Sequence, residues 1–141
     1  LTDPAGRVLC IDLGRVRVGL AVSDPLRVTA QPAGFLARRE LARSLTPLGD
    51  LAAAREVSTI VVGHPLLLSG ERGAAAEEAE QFAARVRDEL GRPVHLWDER
   101  LTTAQATRAL IEGGVRRGRR REVVDAAAAT LILQSWLDAR R

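Results

Sequence analysis

Three acidic residues in this chain stand where a carboxylate is hard to keep. Asp12 closes the apolar run Val8-Leu9-Cys10-Ile11, Glu99 ends a second run that begins Val94-His95-Leu96-Trp97, and Asp125 opens an Ala- and Leu-rich helix. A carboxylate beside a two-sided hydrophobic strand is costly to bury unless a cation or a hydrogen-bond donor meets it. Carried to one point by two strand ends and a helix start, the three would make an oxygen-only pocket for a divalent metal. Mg²⁺ and Mn²⁺ prefer such ligands, and the sequence holds no Cys/His cluster that would favour zinc. Metal held in this way suits the cleavage of phosphodiesters.

Each acid also has a plainer reading. Asp12 on spacing alone reads equally as a cap for the turn at Gly14. Glu99 could pair with Arg100, and Asp98 competes for its role because adjacent strand residues point to opposite faces. Asp125 could serve only to complement a helix dipole, although Val123, Val124, Ala126 and Ala127 make its surroundings small and apolar. Thr102 and Thr103 read as helix caps more readily than as phosphate ligands.

The elements that must position these groups follow from the hydrophobic pattern. Residues 7–13 form a continuous apolar strand, buried on both faces and so central. Gly14-Arg15 turns the chain into a second strand over Val16 to Val22, and Arg27 to Leu36 adds a third, which Pro32 places at an edge. From Glu40 to Glu56, Leu41, Leu45, Leu48 and Ala52 recur at helical spacing, with Pro47 implying a kink or a later start. Thr59 to Gly63 is a buried β-branched strand, Gly73 to Leu90 an amphipathic helix stopped by Gly91, and Val94 to Trp97 the fifth strand. Thr102 with Gln105 resembles a capping box opening a helix that ends at Gly113-Gly114. The last helix is expected from about Glu122 to Ala139, with Asp125 in its first turn. The sum is an α/β protein, a mixed five-stranded sheet flanked by helices, in a single domain over 1–141.

At 141 residues, with 46% hydrophobic and 28% charged residues, the chain can bury a real core. It has no eighteen-residue apolar span, so no membrane partner is expected. Leu1-Thr2-Asp3-Pro4 does not read as a signal peptide, and a cytoplasmic location is expected. The single cysteine, Cys10, reads as a small core residue.

Taken together, Asp12-Leu13-Gly14 with Arg17-Val18-Gly19, Val62-Gly63 with Pro65, Asp98-Glu99-Arg100 with Thr102-Thr103, and Asp125 with Ala128-Ala129 and Ile132-Leu133-Gln134 resemble the YqgF (also called RuvX) family over nearly the whole chain. The resemblance implies an RNase H-like fold related to bacterial Holliday-junction resolvases. Members are described as candidate pre-16S rRNA nucleases acting in ribosome biogenesis, or as candidate junction resolvases. It implies Asp12, Glu99 and Asp125 as the catalytic, metal-binding triad, with Mg²⁺ or Mn²⁺ as cofactor. In a two-ion arrangement Asp12 would bridge the ions while Glu99 and Asp125 each complete one site. Two positions depart from the pattern: Val16 stands where relatives usually carry Lys or Arg, and His64 replaces the commoner leucine. The leading function is trimming the 5′ side of precursor 16S rRNA. The alternatives are a resolvase-like endonuclease on branched DNA, which would need a two-fold dimer rather than a monomer, and a non-catalytic RNA-binding assembly factor. The Asp12-x-Gly14 hairpin also resembles that of actin-like ATPases, but the chain has residues for one such domain only and no Gly-rich phosphate loop.

All 21 basic residues are arginine. Coding bias accounts for the missing lysines but not for Arg116, Arg117, Arg119, Arg120 and Arg121 crowding together just before Asp125. A nucleic acid lying over that acid would meet them, and Arg17 on the first hairpin is a lesser candidate for the same contact. Aromatic residues are scarce, at 3%, and sit in apolar patterns, so recognition should rest on backbone and shape rather than base stacking. Affinity for nucleic acid is therefore expected to fall steeply across a salt titration and to vary little with base sequence; a flat titration would contradict this reading.

Overall fold

The apolar run that starts after Arg7 lies at the centre of a sheet because both of its faces are apolar. In the computed structural model, which describes residues 4–103 and 126–141, β1 (Arg7–Leu13) pairs antiparallel with β2 (Arg17–Ser23), and β3 (Ala30–Ala37) adds antiparallel to β2. On its other side β1 runs parallel to β4 (Val57–His64), which in turn runs parallel to β5 (Val94–Asp98). The order β3-β2-β1-β4-β5 makes the mixed five-stranded sheet expected of an RNase H-like α/β fold.

Alternation along the strands divides the interior in two. Leu9, Ile11, Val18, Leu20, Val22, Ile60 and Val62 face one layer of helices: α1 (Arg38–Arg43), α2 (Thr46–Ala54) and α3 (Ala74–Leu90). Val8, Cys10, Ala21 and Val61 face the other way, under α4 (Ala127–Ala139). α4 begins with three alanines, and Ala128 and Ala129 are fully buried, so small side chains line its first turn against the sheet. Further along it, Ile132, Leu133, Trp136 and Leu137 fill the space over the strands. Among the described residues no helix is long and apolar enough to cross a membrane.

Several boundaries differ from the sequence pattern for identifiable reasons. The third strand runs from Ala30 to Ala37 rather than from Arg27, because Asp24 folds the preceding residues into a loop. Its carboxylate accepts from the amides of Leu26, Val28 and Thr29, which holds it below the usual carboxylate range, the Thr29 amide contributing most. Arg27 sits at φ 59° beside this loop and donates to the Pro4 and Gly6 carbonyls and to the Ser58 and Thr59 hydroxyls, fastening the chain before β1 to β4. The helical stretch after Glu40 is broken at Ser44, whose hydroxyl accepts from the Thr46 amide, and restarts with Pro47 in the first turn of α2. Gly91 stops α3 in the left-handed conformation at φ 66°. The last helix starts at Ala127, with Ala126 at its N-cap, rather than near Glu122. Residues 122–125 lie outside the described residues, as does the helix expected between Gln105 and Gly113.

Two side chains tie α4 to the sheet. Gln134 accepts from the Ala30 amide and donates to the Val28 carbonyl, holding the start of β3. Trp97 on β5 donates its indole N–H to Ser135 Oγ at 3.0 Å. Trp136 is 2% exposed, tilted against His95 and covered by the Arg140 guanidinium 3.9 Å from its ring centroid. Replacing a ring so enclosed leaves a cavity that its neighbours fill only in part. Trp136→Ala should therefore cost about 3–5 kcal/mol of stability, measured as a lower midpoint of urea unfolding.

Candidate active site

Strand register brings the first two acids to the same place. Ile11 pairs with Val62, which sets Asp12 level with Gly63 on β4, while Gly63 itself pairs with Trp97 on β5. Asp12 shares a sheet face with Val8 and Cys10, the face covered by α4. From the far side Glu99, at the start of a short 3-10 turn (Glu99–Leu101), reaches back over β4. A Cβ built on Gly63 would lie 2.5 Å from Glu99 Oε2 and 2.9 Å from Ile132 Cδ1, so the Glu99 carboxylate occupies the space a side chain at 63 would need. Asp12 is 4% exposed and Glu99 1%.

Both charges act on Cys10. Its thiol is pushed well above the usual value, first by complete burial and then by the carboxylates of Asp12 and Glu99. Neighbouring acids behave differently. Asp98 takes both the side chain and the amide of Arg100, with Nη2 to Oδ2 at 2.7 Å and the backbone N–H to Oδ1 at 2.9 Å. That guanidinium holds Asp98 below the usual carboxylate range. Arg100 is thus the partner of Asp98, while Glu99 lies under α4 beside Gly63 and Ile132. The helix expected to open at Thr102 lies outside the described residues. The Thr102 amide and hydroxyl both donate to the Glu99 carbonyl, so Thr102 closes the 3-10 turn that carries Glu99.

Around the pocket, β4 ends in a second polar cluster. His64 Nε2 lies 2.7 Å from Glu80 Oε2 on α3, and Arg72 grips the same carboxylate from Nε at 2.8 Å and Nη2 at 2.6 Å. Hydrogen bonds from Arg72 and then His64 lower the Glu80 pKa to about 2. On the hairpin side, Arg38 donates to the Gly14 carbonyl at 3.0 Å and to Glu78 at 2.8 Å, bracing the turn that follows Asp12. A Cβ on Gly14 would meet the Arg17 carbonyl at 2.3 Å, which makes this turn a glycine position. Within the turn the Gly14 amide donates to the Asp12 backbone carbonyl. Arg17 begins β2, with its guanidinium 5.4 Å from the centroid of Phe35.

The structure thus brings Asp12 and Glu99 together and places Arg17 on the adjoining hairpin. Asp125 and the arginines 116, 117, 119, 120 and 121 lie outside the described residues. Among the described residues no group of three His, Cys, Asp or Glu side chains is arranged to hold a metal. The donors that do converge are two buried carboxylates, a hard, anionic set that fits Mg²⁺ or Mn²⁺. Sequence reasoning gave no role to Gly63, Arg38 or Glu80. The signal for Gly63 was present: a glycine interrupting the β-branched run of β4 marks a close approach by another group. Arg38 and Glu80 act across elements and carry no local pattern.

A paired measurement tests the packing at Gly63. Gly63→Ala should lower stability by about 1–3 kcal/mol in urea unfolding, because the new methyl meets Glu99 and Ile132 in a filled space. Gly49→Ala, on α2 where a Cβ meets nothing nearer than Leu90 Cγ at 4.0 Å, should instead raise stability by about 0.5–1 kcal/mol.

Comparison with known proteins agrees with this architecture. The family described as "RuvX: Holliday junction resolvase" matches residues 6–139. A protein of Myxococcus xanthus (strain DK1622) named "Putative pre-16S rRNA nuclease" is 47% identical over 135 residues, covering 96% of this chain and 89% of the relative. A relative of the same name from Moorella thermoacetica is 45% identical over 132 residues, 94% of each. Among solved structures, T. thermophilus RuvC in complex with a Holliday junction substrate aligns at a TM-score of 0.55 and 17% identity, over 96% of this chain and 95% of RuvC. The fowlpox virus Holliday junction resolvase aligns at 0.52 and 11%, over 94% and 99%. At those identities the structures share a fold. With the sequence relatives and the family match spanning nearly its whole length, the chain belongs to the RuvX family.

Proposed function

We propose that this protein is a divalent-metal-dependent nuclease that cuts precursor 16S rRNA on its 5′ side. The observation that carries the reading is that Asp12 and Glu99, 4% and 1% exposed, are both buried on the α4 side of the sheet, Glu99 in the space that Gly63 leaves. Two buried negative charges so placed are costly unless cations and donors meet them. The names of the sequence relatives supply the substrate.

In this reading Asp12 and Glu99, joined by Asp125, hold Mg²⁺ or Mn²⁺. When bound, the metal would polarise the scissile phosphate and lower the pKa of an attacking water. The protein's own residues prepare that chemistry. Gly63 leaves room for the Glu99 carboxylate to lie over β4. Asp98 engages Arg100, so that the adjacent guanidinium does not neutralise Glu99. The Thr102 hydroxyl fixes the Glu99 backbone, and Arg38 fixes the turn after Asp12. Arg17 and the arginines at 116, 117, 119, 120 and 121 contact the substrate backbone, and the reaction takes place in the cytoplasm.

The family description favours a second reading, resolution of four-way DNA junctions, which requires paired cuts and a two-fold dimer. Purified protein incubated with Mg²⁺ or Mn²⁺ on a labelled precursor 16S leader and on a four-way junction separates the two. The expected result is cleavage of the leader that chelation abolishes and that Asp12→Asn or Glu99→Gln reduces about a hundredfold or more. Paired symmetric nicks in the junction, with the leader intact, would make it a resolvase. If neither substrate is cut, or if Asp12→Asn cuts as well as the parent, the assignment is wrong.

A further inference from the structure

The loop between β4 and α3 is braced in a way that leaves two leucines in water, Leu67 at 53% and Leu68 at 88% exposed. Its two ends are tied to a single carboxylate, His64 and Arg72 both bonding Glu80. Inside it, the Leu67 amide donates to the Glu71 carbonyl at 3.0 Å and the Gly70 amide to the Leu67 carbonyl at 2.8 Å. Ser69 Oγ donates to the Glu71 carboxylate and accepts from the Glu71 amide, and Arg100 Nη1 reaches the Leu68 carbonyl at 3.4 Å. Leu67 turns back toward Gly73 at the start of α3, 3.6 Å from the position of a Cβ there. Leu68, at the tip, is 88% exposed.

An exposed leucine is by itself ordinary on a protein surface. Leu68 is distinguished by its setting. The loop that presents it leaves β4 after His64, the residue that follows the glycine lying under the Glu99 carboxylate. The guanidinium that holds its backbone belongs to Arg100, next to Glu99 in the chain, and Leu101, which follows, is itself 61% exposed. An apolar tip whose backbone is held by the residue next to Glu99 is suited to enter a stack of bases, because apolar side chains inserted at a base step displace stacking without needing a hydrogen-bond partner. The scarcity of exposed aromatic residues leaves an aliphatic group for this task.

Resting on the nuclease reading above, we propose that Leu68 is a specificity-determining wedge. It inserts at the boundary between paired and unpaired RNA and unstacks the nucleotide there, so that the adjoining phosphate reaches Asp12 and Glu99. The occupant is thus an RNA helix end with a single-stranded 5′ extension.

The test uses an RNA hairpin with such an extension and 2-aminopurine at the boundary. Asp12→Asn protein, which holds RNA uncut in this reading, should raise the fluorescence on binding. The Asp12→Asn, Leu68→Ala double variant should bind within about threefold yet leave the signal low, and Leu68→Phe in place of Leu68→Ala should restore it. With Asp12 intact, Leu68→Ala should cut the hairpin about tenfold more slowly, but cut the same RNA carrying a mismatch at that step within about twofold of the parent. Because the side chain is exposed, an unchanged thermal midpoint should accompany these effects. Equal fluorescence with and without Leu68, or equal slowing on both RNAs, overturns the wedge while leaving the nuclease reading in place. Failure of the parent to bind either RNA overturns the nuclease reading, and the wedge with it.

Discussion

Holding two carboxylates in the dry space between a β-sheet and a helix is the constraint around which the surrounding residues are arranged. Charge placed there is unfavourable by several kcal/mol per ion unless it is compensated, so the fold must bring the compensating groups to it and keep ordinary counter-ions from taking it over. Both jobs fall to residues at strand ends. β1 and β4 deliver Asp12 and Gly63 side by side, and the 3-10 turn after β5 returns Glu99 over the gap that the glycine leaves. Asp98 and Arg100 satisfy each other at the rim. The high cost of thiolate formation at Cys10 reflects the same arrangement from below, since burial and two negative charges act on it together.

The two faces of the sheet carry unequal duties. Beneath α1, α2 and α3 the strands present leucine, isoleucine and valine to a conventional apolar core. Beneath α4 the side chains are smaller, with Cys10, Ala21, Ala128 and Ala129 close to the axis of the site. The larger core supplies stability of its own, while the α4 side gives up some packing volume to accommodate charge. This division places the candidate chemistry at the carboxyl ends of β1 and β4, on the α4 side of the sheet.

Much of this was legible in the residues. An acid ending an apolar run is conspicuous, and Asp12 and Glu99 stand out for that reason. Strand assignments followed from β-branched runs, and Pro47 marked the break between α1 and α2. Elsewhere local chemistry was ambiguous. Arg27 is unreadable from its neighbours because its partners come from residues 4, 6, 58 and 59, and its left-handed backbone is set by those contacts. The acid at 125 and the arginine-rich stretch before it were conspicuous in the sequence and lie outside the described residues.

The positions of the two tryptophans have a consequence for how this molecule can be observed. The chain has no tyrosine, and its only two indoles are Trp97 and Trp136. Both belong to the α4 side of the sheet, one bonded to Ser135 and the other under the Arg140 guanidinium. Intrinsic fluorescence is therefore a one-sided gauge. It follows the seating of α4 over the two carboxylates, and it is silent about the leucine-rich layer on the opposite face.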